Sequence, residues 1–522
     1  MSTHGPLSLR APSSRLAALG LPALAPRRLA YLALLVAAPL LPHLNSNAFF
    51  FPAVSNGWVC LPFCALLLLA LIDLRAPGRR LHLDLLALVA LSASLACWRA
   101  WWEWPMLLAF GLLLYLAARM LAIARTPDAE AASRRGEAAH TAGAASAPEA
   151  PRGALLPRSW LLLGIAVLAV VHVSWALSGT AQVDVGESGV QGAQRIADGH
   201  PLYGRVASEA RVDRHLDTYG PVDYEAYLPF VGLAGGGYDA ARLTTLFFDL
   251  LTALLLFVLG RRVRGPTCGV VLAYCWLAFP FTLYCDALGL NDPILAAALV
   301  GTLLAAASPL RRGAAAALAV WVKFSPLALL PLLATHGAGG SARRRVLRFG
   351  LAFALASALV FVPALLHGSL ATFASRSFGF QTGRPPFVSI WSVLIQRFSA
   401  SAPSIVTASR VAHGVLAALT GALAIALPRL RRRTDVVGLA AACAALMIAL
   451  ELCLSYYAFS YVLWFAPLVL VALILDAFPP ERAVGAPDAS RSNGSGDFGD
   501  ARDLGRRAGV VRGLRALGGQ TA

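Results

Sequence analysis

Runs of membrane-grade hydrophobicity recur along most of this chain, near residues 29–43, 58–74, 84–98, 104–124, 159–178, 241–260, 267–284, 290–308, 347–367, 403–427, 435–453 and 457–476. A helix needs about 20 mostly apolar residues to cross a hydrocarbon core of ~30 Å. Within lipid, only a helix or a closed barrel pairs all of its own backbone groups. The pattern therefore predicts an all-α polytopic membrane protein of about 12 spans. With 58% hydrophobic and 14% charged residues over 522 positions, the chain is too apolar for a soluble multidomain protein.

The formal net charge of +17 raises the prospect of a nucleic-acid partner, but the arginines sit in short clusters at the ends of apolar runs, as at Arg261-Arg262, Arg343 to Arg345 and Arg431 to Arg433. Positive-inside membrane topology accounts for that distribution, so no nucleic acid is implied. The eight cysteines lie in or beside the apolar runs without metal-ligand spacing, and read as small core side chains. Arg10, Arg15, Arg27 and Arg28 precede the first run, yet no small-residue cleavage site follows at a suitable distance, which makes that run a retained first span.

With the N-terminus placed in the cytoplasm of a plasma-membrane protein, the basic stretches 75–80, 125–158, 261–264 and 311–312 all fall inside, and the loop from Asp184 to Phe230 falls outside. Gly313 to His336 breaks the alternation because arginines flank both of its ends. A re-entrant pair of short helices, broken at Lys323-Phe-Ser-Pro326, fits better: proline removes a backbone donor and disfavours helix before it. The loop 367–403 then lies outside and the C-terminal tail inside. Four regions follow: a four-span N-terminal part, 1–124; a cytoplasmic linker, 125–158, too polar to order itself; a membrane region, 159–477; and a disordered cytoplasmic tail, 478–522.

Chemistry concentrates in the loop after residue 183. Asp184 and Glu187 follow an apolar run directly, and Ser188 to Gly199 reads as an amphipathic helix lying at the membrane surface, with Val190, Ala193, Ile196 and Ala197 opposite Gln191, Gln194, Arg195 and Asp198. A solvated acidic helix start is the plain alternative for the two acids. Tyr203, Asp217, Tyr219 and Tyr224 sit in or beside turn-forming segments and suit a sugar, whose faces stack on rings; an interfacial aromatic belt is equally compatible. Arg214 and His215 add cationic or titratable groups. Lys323 is the only lysine of the chain and lies within an apolar segment, where a cation is costly unless paired or facing a polar cavity. It either contacts a lipid-linked phosphate, snorkels, or pairs with Asp286 or Asp292. Arg376, Phe378, Phe380, Gln381 and Arg384 form a second outer loop in which an arginine fork among aromatics matches phosphate oxygens or lipid headgroups. No Walker loop, dinucleotide fingerprint or zinc-helix motif is present.

Asp184-Val-Gly-Glu-Ser188 after a span, Gly199-His-Pro-Leu-Tyr203-Gly204, Asp217-Thr-Tyr-Gly-Pro221, Asn291-Asp-Pro293, Lys323-Phe-Ser-Pro326 and Phe380-Gln-Thr-Gly-Arg384 together resemble the GT-C superfamily of polytopic glycosyltransferases, most closely the family 87 type of actinobacterial membrane proteins. The resemblance covers roughly 160–477 and leaves the first four spans outside it. It implies a GT-C-like bundle that transfers a sugar, mannose among the candidates, from a polyprenyl-phosphate donor to a lipid or glycan acceptor on the outer face. It implies Asp184 as the base on the acceptor hydroxyl and Glu187 as its helper. Lys323, Arg384, Arg214 and His215 would hold the donor phosphate, and Tyr203, Asp217, Tyr219, Tyr224 and Asp292 the substrate. Many members that need a divalent metal carry a closer acidic pair than Asp184 and Glu187, so the resemblance leaves a divalent metal open and implies no other cofactor. The rival reading is a transporter or flippase, against which stands the absence of repeat symmetry.

Overall fold

The computed structural model describes residues 26–40, 57–72, 80–97, 104–127, 156–179, 182–204, 217–337, 341–383 and 389–478. Every regular element among them is helical, as the apolar pattern requires. The N-terminal part contributes α1 (Pro26–Ala37), α2 (Gly57–Leu71), α3 (Arg80–Cys97) and α4 (Trp104–Arg125). After the gap come α5 (Arg158–Ser178), α6 (Asp184–Ala197), α7 (Pro221–Glu225), α8 (Leu228–Ala234) and α9 (Asp239–Arg264). Then follow α10 (Pro266–Leu277), α11 (Pro280–Leu288), α12 (Asp292–Leu304), α13 (Pro309–Val322) and α14 (Leu330–Thr335), the last preceded by a 3-10 turn over Ser325–Leu329. The remainder is α15 (Ala342–Val360), α16 (Val362–Leu366), α17 (Leu370–Ala374), α18 (Phe380–Gly383), α19 (Ile390–Phe398), α20 (Pro403–Leu430), α21 (Val436–Leu452) and α22 (Val462–Ala477). Most of the linker, all of the tail after 478, and Arg214, His215 and Arg384 lie outside the described residues.

Among the described residues, five helical stretches are long and apolar enough to cross a membrane, Pro105–Arg125, Arg158–Ser178, Asp239–Arg264, Pro403–Leu430 and Phe459–Ala477, and a sixth arises if the bent pair α10–α11 counts as one. The expected twelve full spans are not reproduced by helix length and composition. Stretches that read as spans, such as Asp292–Leu304 and Val436–Leu452, are shorter apolar helices. Membrane character nevertheless shows on the surface: Leu347, Leu351, Leu355 and Leu359 of α15 and Val411, Val415 and Leu419 of α20 are exposed ladders of large apolar side chains. Water would penalise such a contiguous patch.

The N-terminal helices are built into the same compact unit as the rest of the described chain. The Tyr274 hydroxyl on α10 donates to the Leu66 carbonyl of α2 at 3.0 Å, and Tyr31 donates to the Trp160 carbonyl at 3.3 Å. Arg119 of α4 pairs with the fully buried Asp84 at 2.8 Å and lies 3.7 Å from Asp476 at the end of α22.

Two breaks shape the interior. Helices α10 and α11 meet at 54°, and the bend is held by His172 of α5, whose Nε2 lies 3.0 Å from the Leu277 carbonyl. A carbonyl only accepts, so Nε2 carries a proton. Nδ1 of the same ring faces Asp286 at 2.6 Å and Asp249 at 3.1 Å, while Trp276 Nε1 donates to the other oxygen of Asp249 at 2.8 Å. The second break lies where it was expected. Helix α13 stops as Lys323 turns extended (φ −141, ψ 144), and the chain returns through the 3-10 turn and α14.

Candidate active site

Because α13 ends at Lys323, the lysine projects into the bundle, where it is 7% exposed. Its ammonium bonds Asp292 Oδ1, which also accepts Trp464 Nε1 at 2.6 Å. Three rings surround the cation: Tyr219 at 5.7 Å, Tyr461 at 5.5 Å and Trp464 at 5.1 Å from their centroids. Cation–π attraction and the ion pair together meet the cost of burying the charge. Of the alternatives open for Lys323, pairing with Asp292 is the arrangement found, and Asp286 instead serves the bend at His172.

Beside this pair, Asn291 donates its amide to both oxygens of Asp223, at 2.9 and 3.0 Å. Asp223 is fully buried on α7, and burial lifts its carboxyl to about 7; the Lys323 ammonium and the Asn291 bond pull it down, and Asp292 pushes it up. Its neighbour Glu225 is likewise lifted to about 7 by burial.

Above the ion pair opens a cavity of about 330 Å³, walled by Tyr219, Phe324, Leu327, Leu450, Leu454, Tyr461 and Trp464, with Lys323, Ser325 and Gln381 supplying polar groups. The Ser325 hydroxyl is buried without a hydrogen-bond partner among the described residues.

The tyrosine-bearing loop serves this cavity unevenly. Only Tyr219 lines it. Tyr203 donates its hydroxyl to the Tyr219 carbonyl at 3.0 Å, and the Tyr224 hydroxyl accepts the Tyr219 amide at 3.1 Å, so these two fix Tyr219 rather than reach the cavity. Asp217 is committed too: it accepts the Gly204 amide at 2.7 Å and binds Arg376 through both oxygens, at 2.6 to 3.0 Å. Arg376 has its guanidinium raised above the ordinary range chiefly by that bond. Tyr203, Trp321, Phe324 and Phe373 pack together in one apolar cluster.

The amphipathic helix α6 begins at Asp184, four residues earlier than expected. It does not rest on one apolar side: Gly189 sits against the Tyr227 ring and Gly192 against the Tyr224 ring. Arg195, expected on the polar side, is buried and donates to the Leu202 carbonyl at 3.1 Å. Asp184 and Glu187 are exposed in its first turn. Asp184 accepts the Val185 amide at 2.9 Å and Glu187 accepts Gln191 at 2.9 Å. No residue of α6 lines the cavity. Tyr238 ties the start of α6 to the end of α11, accepting the Val183 amide at 2.7 Å and donating to the Leu288 carbonyl at 2.7 Å. Tyr238 thereby ties the residue before Asp184 to a carbonyl that lies just ahead of the Asn291-Asp292 turn in the chain.

Residues 218–455 match the family model of glycosyltransferase family 87. The match bears out the resemblance drawn from the motifs, and the family indicates a glycosyltransferase, which joins a sugar donor to an acceptor. The family 87 region contains Tyr219, Asp223, Asn291, Asp292, Lys323, Arg376 and Gln381. It begins after Asp184 and Glu187 and ends before Tyr461 and Trp464. Among curated proteins nothing matches the chain.

One group of metal-ligand type occurs among the described residues: His172, Asp249 and Asp286, all buried. Their separations of 2.6 and 3.1 Å are those of hydrogen bonds, and the ring's other nitrogen holds the α10–α11 bend. The arrangement is that of a structural triad. Sequence reasoning passed over Asp223, Tyr461, Trp464, His172 and Asp249. Asp223 had a signal, being an acid two residues after the Asp217–Pro221 turn; Tyr461 and Trp464 open an apolar run and look like interfacial aromatics there.

Proposed function

We propose that this protein is a membrane glycosyltransferase that transfers a hexose, mannose by the resemblance, from a polyprenyl-phosphate donor to a lipid or glycan acceptor at the outer face of the plasma membrane, with both termini cytoplasmic. The observation that carries this reading is the cavity of about 330 Å³ over Lys323. Its volume falls in the ~300–1,000 Å³ range of small-molecule sites, and its aromatic walls with few polar groups suit a sugar ring. Its cation suits a phosphate leaving group: an ammonium has three donors, and Asp292 takes one.

The reaction forms a bond from the acceptor oxygen to the anomeric carbon and breaks the bond from that carbon to the phosphate oxygen. The acceptor's proton passes to Asp184, with Glu187 beside it, and the polyprenyl phosphate departs with the bonding pair. Negative charge grows on the phosphate in the transition state, where preplaced cations stabilise it more than in the ground state. Lys323, with Arg384, Arg214 and His215, takes that role. Tyr219 contacts substrate; Tyr203, Tyr224 and Asp217 hold the loop; Asp292 orients Lys323.

Transfer of radiolabelled sugar from polyprenyl phosphate to membrane acceptors by purified protein tests the proposal. Asp184→Asn is expected to lose roughly 100- to 10,000-fold of the rate. Normal transfer by a stably folded Asp184→Asn protein removes Asp184 as the base. Movement of a lipid-linked solute across liposomes without covalent transfer would instead support a transporter.

A further inference from the structure

The cavity over Lys323 has polar groups that neither the ion pair nor the loop uses. Ser325 presents a buried hydroxyl with no partner among the described residues, and a buried polar atom left unpaired costs free energy that a ligand can restore. Gln381 lines the same cavity from a different segment, on an exposed side chain whose amide is open to a ligand. Other polar wall groups are engaged: Lys323 and Trp464 both bind Asp292.

An amide offers two donors and an acceptor in one plane, and a hydroxyl offers one donor and two lone pairs. Together they match neighbouring hydroxyls on a pyranose ring. A phosphate, which only accepts, would leave the amide oxygen and the hydroxyl lone pairs unused. The Lys323 cation in the same cavity favours the sugar that carries the phosphate.

How Gln381 comes to the cavity is also visible. Arg376 grips Asp217 through two nitrogens, and the backbone from Ser375 to Gly379 is a π-helical turn leading directly into α18, on which Gln381 stands. Isolated π turns occur often at functional sites. Phe378, inside the turn, packs on Phe324 with ring centroids 4.5 Å apart. The segment is thus pinned at Arg376 and at Phe378, and its next turn faces the cavity.

We infer that Gln381 and Ser325 bind hydroxyl groups of the donor's sugar ring, and that the Asp217–Arg376 ion pair is the positioning device that holds Gln381 there. The inference rests on the glycosyltransferase reading and names the part of the site that reads the sugar.

The test uses the full chain in nanodiscs and a tritiated polyprenyl-phosphate mannose, with analogues in which each sugar hydroxyl is replaced in turn by hydrogen. Binding and transfer are both measured. Wild type is expected to favour the complete sugar over at least one analogue by roughly 10-fold, the value of one good hydrogen bond. In Gln381→Ala that preference falls to about 1 for the same hydroxyl, and in Ser325→Ala for a second one. Arg376→Gln is expected to raise KM for the donor with a smaller change in kcat, and to lose the same preference as Gln381→Ala. Arg376→Lys recovers part of it. A purely structural Arg376 would lower activity without touching hydroxyl preference, which overturns the positioning role. Gln381→Ala and Ser325→Ala proteins that keep every wild-type preference overturn the sugar-reading role while leaving the enzyme reading intact. Neither binding nor transfer by the wild type overturns both.

Discussion

Arg312, near the start of α13, donates its guanidinium to the carbonyl of His336, which lies just past α14, at 2.9 Å, and to the Leu333 carbonyl at 2.7 Å. It also bonds the Ala306 carbonyl, and it is fully buried. The two ends of the α13–α14 hairpin therefore meet, with Lys323 at the far tip. His336 faces Arg431 through Nδ1 at 3.0 Å. Burial, with Arg431, Arg312 and Arg345 around it, pushes its ring down to about 3, so it stays neutral and accepts.

Single cysteines placed at Ser308 and Ala342, on either side of the hairpin, are expected to react with an impermeant thiol reagent from the same face of a sealed vesicle. Labelling from opposite faces would show that the segment crosses. Arg312→Met leaves three helix-end carbonyls unpaired and is expected to cost roughly 3 kcal/mol or more, read as a loss of thermal stability in detergent.

Removing one member of the Lys323–Asp292 pair leaves a buried charge without its counterion. Lys323→Met is expected to destabilise by about 3–5 kcal/mol, and the double variant Lys323→Met/Asp292→Asn to recover most of that. The double variant nonetheless stays inactive in the transfer assay. A single variant as stable as wild type would mean that the pair contributes nothing to the fold.

The Glu225 carboxyl moves from its ordinary 4.5 to about 7 in the folded chain because it is buried. As pH rises, the unfolded state releases this proton first, so stability present below about 4.5 is lost progressively up to about 7 and then levels off. Asp223, lifted from 3.8 to about 7, adds a decline of the same sign. Glu225→Gln is expected to flatten the fall by its own share, leaving that of Asp223. A pH–stability profile that Glu225→Gln leaves unchanged would exclude Glu225 as a contributor.

A methyl group at Gly220 would meet the Trp321 backbone carbonyl, whereas one at Gly232 meets nothing within 4 Å. Gly220→Ala is expected to push the Tyr219 loop off α13 and to lower both stability and donor affinity, while Gly232→Ala behaves as wild type. Backbone cannot swing aside as a flexible side chain does, so an unaffected Gly220→Ala protein would contradict this seating.

Much of this was legible in the chain. Apolar runs predicted the helices, and Lys323-Phe-Ser-Pro326 predicted the break, because local backbone chemistry decides both. Span number was not legible, since apolar length alone does not separate a crossing helix from a short one packed inside a bundle. The division of labour among Tyr203, Asp217, Tyr219 and Tyr224 was equally hidden: all four share a composition suited to sugars, and only packing separates Tyr219 at the cavity from Tyr203 and Tyr224, which hold it, and from Asp217, which binds Gly204 and Arg376. Trp464 joins the site from more than a hundred residues beyond Lys323, a proximity that only tertiary structure can create.

The seat of α6 has a consequence for how Asp184 would sense its surroundings. A helix floating at a lipid surface rides with it, changing depth as bilayer thickness or curvature changes. Here Gly189 and Gly192 let the rings of Tyr227 and Tyr224 touch the helix backbone, and Tyr238 anchors Val183, the residue just before the helix. The carboxylate's height is therefore set by protein against protein, and its reach toward an acceptor is expected to be the same in thin and thick membranes.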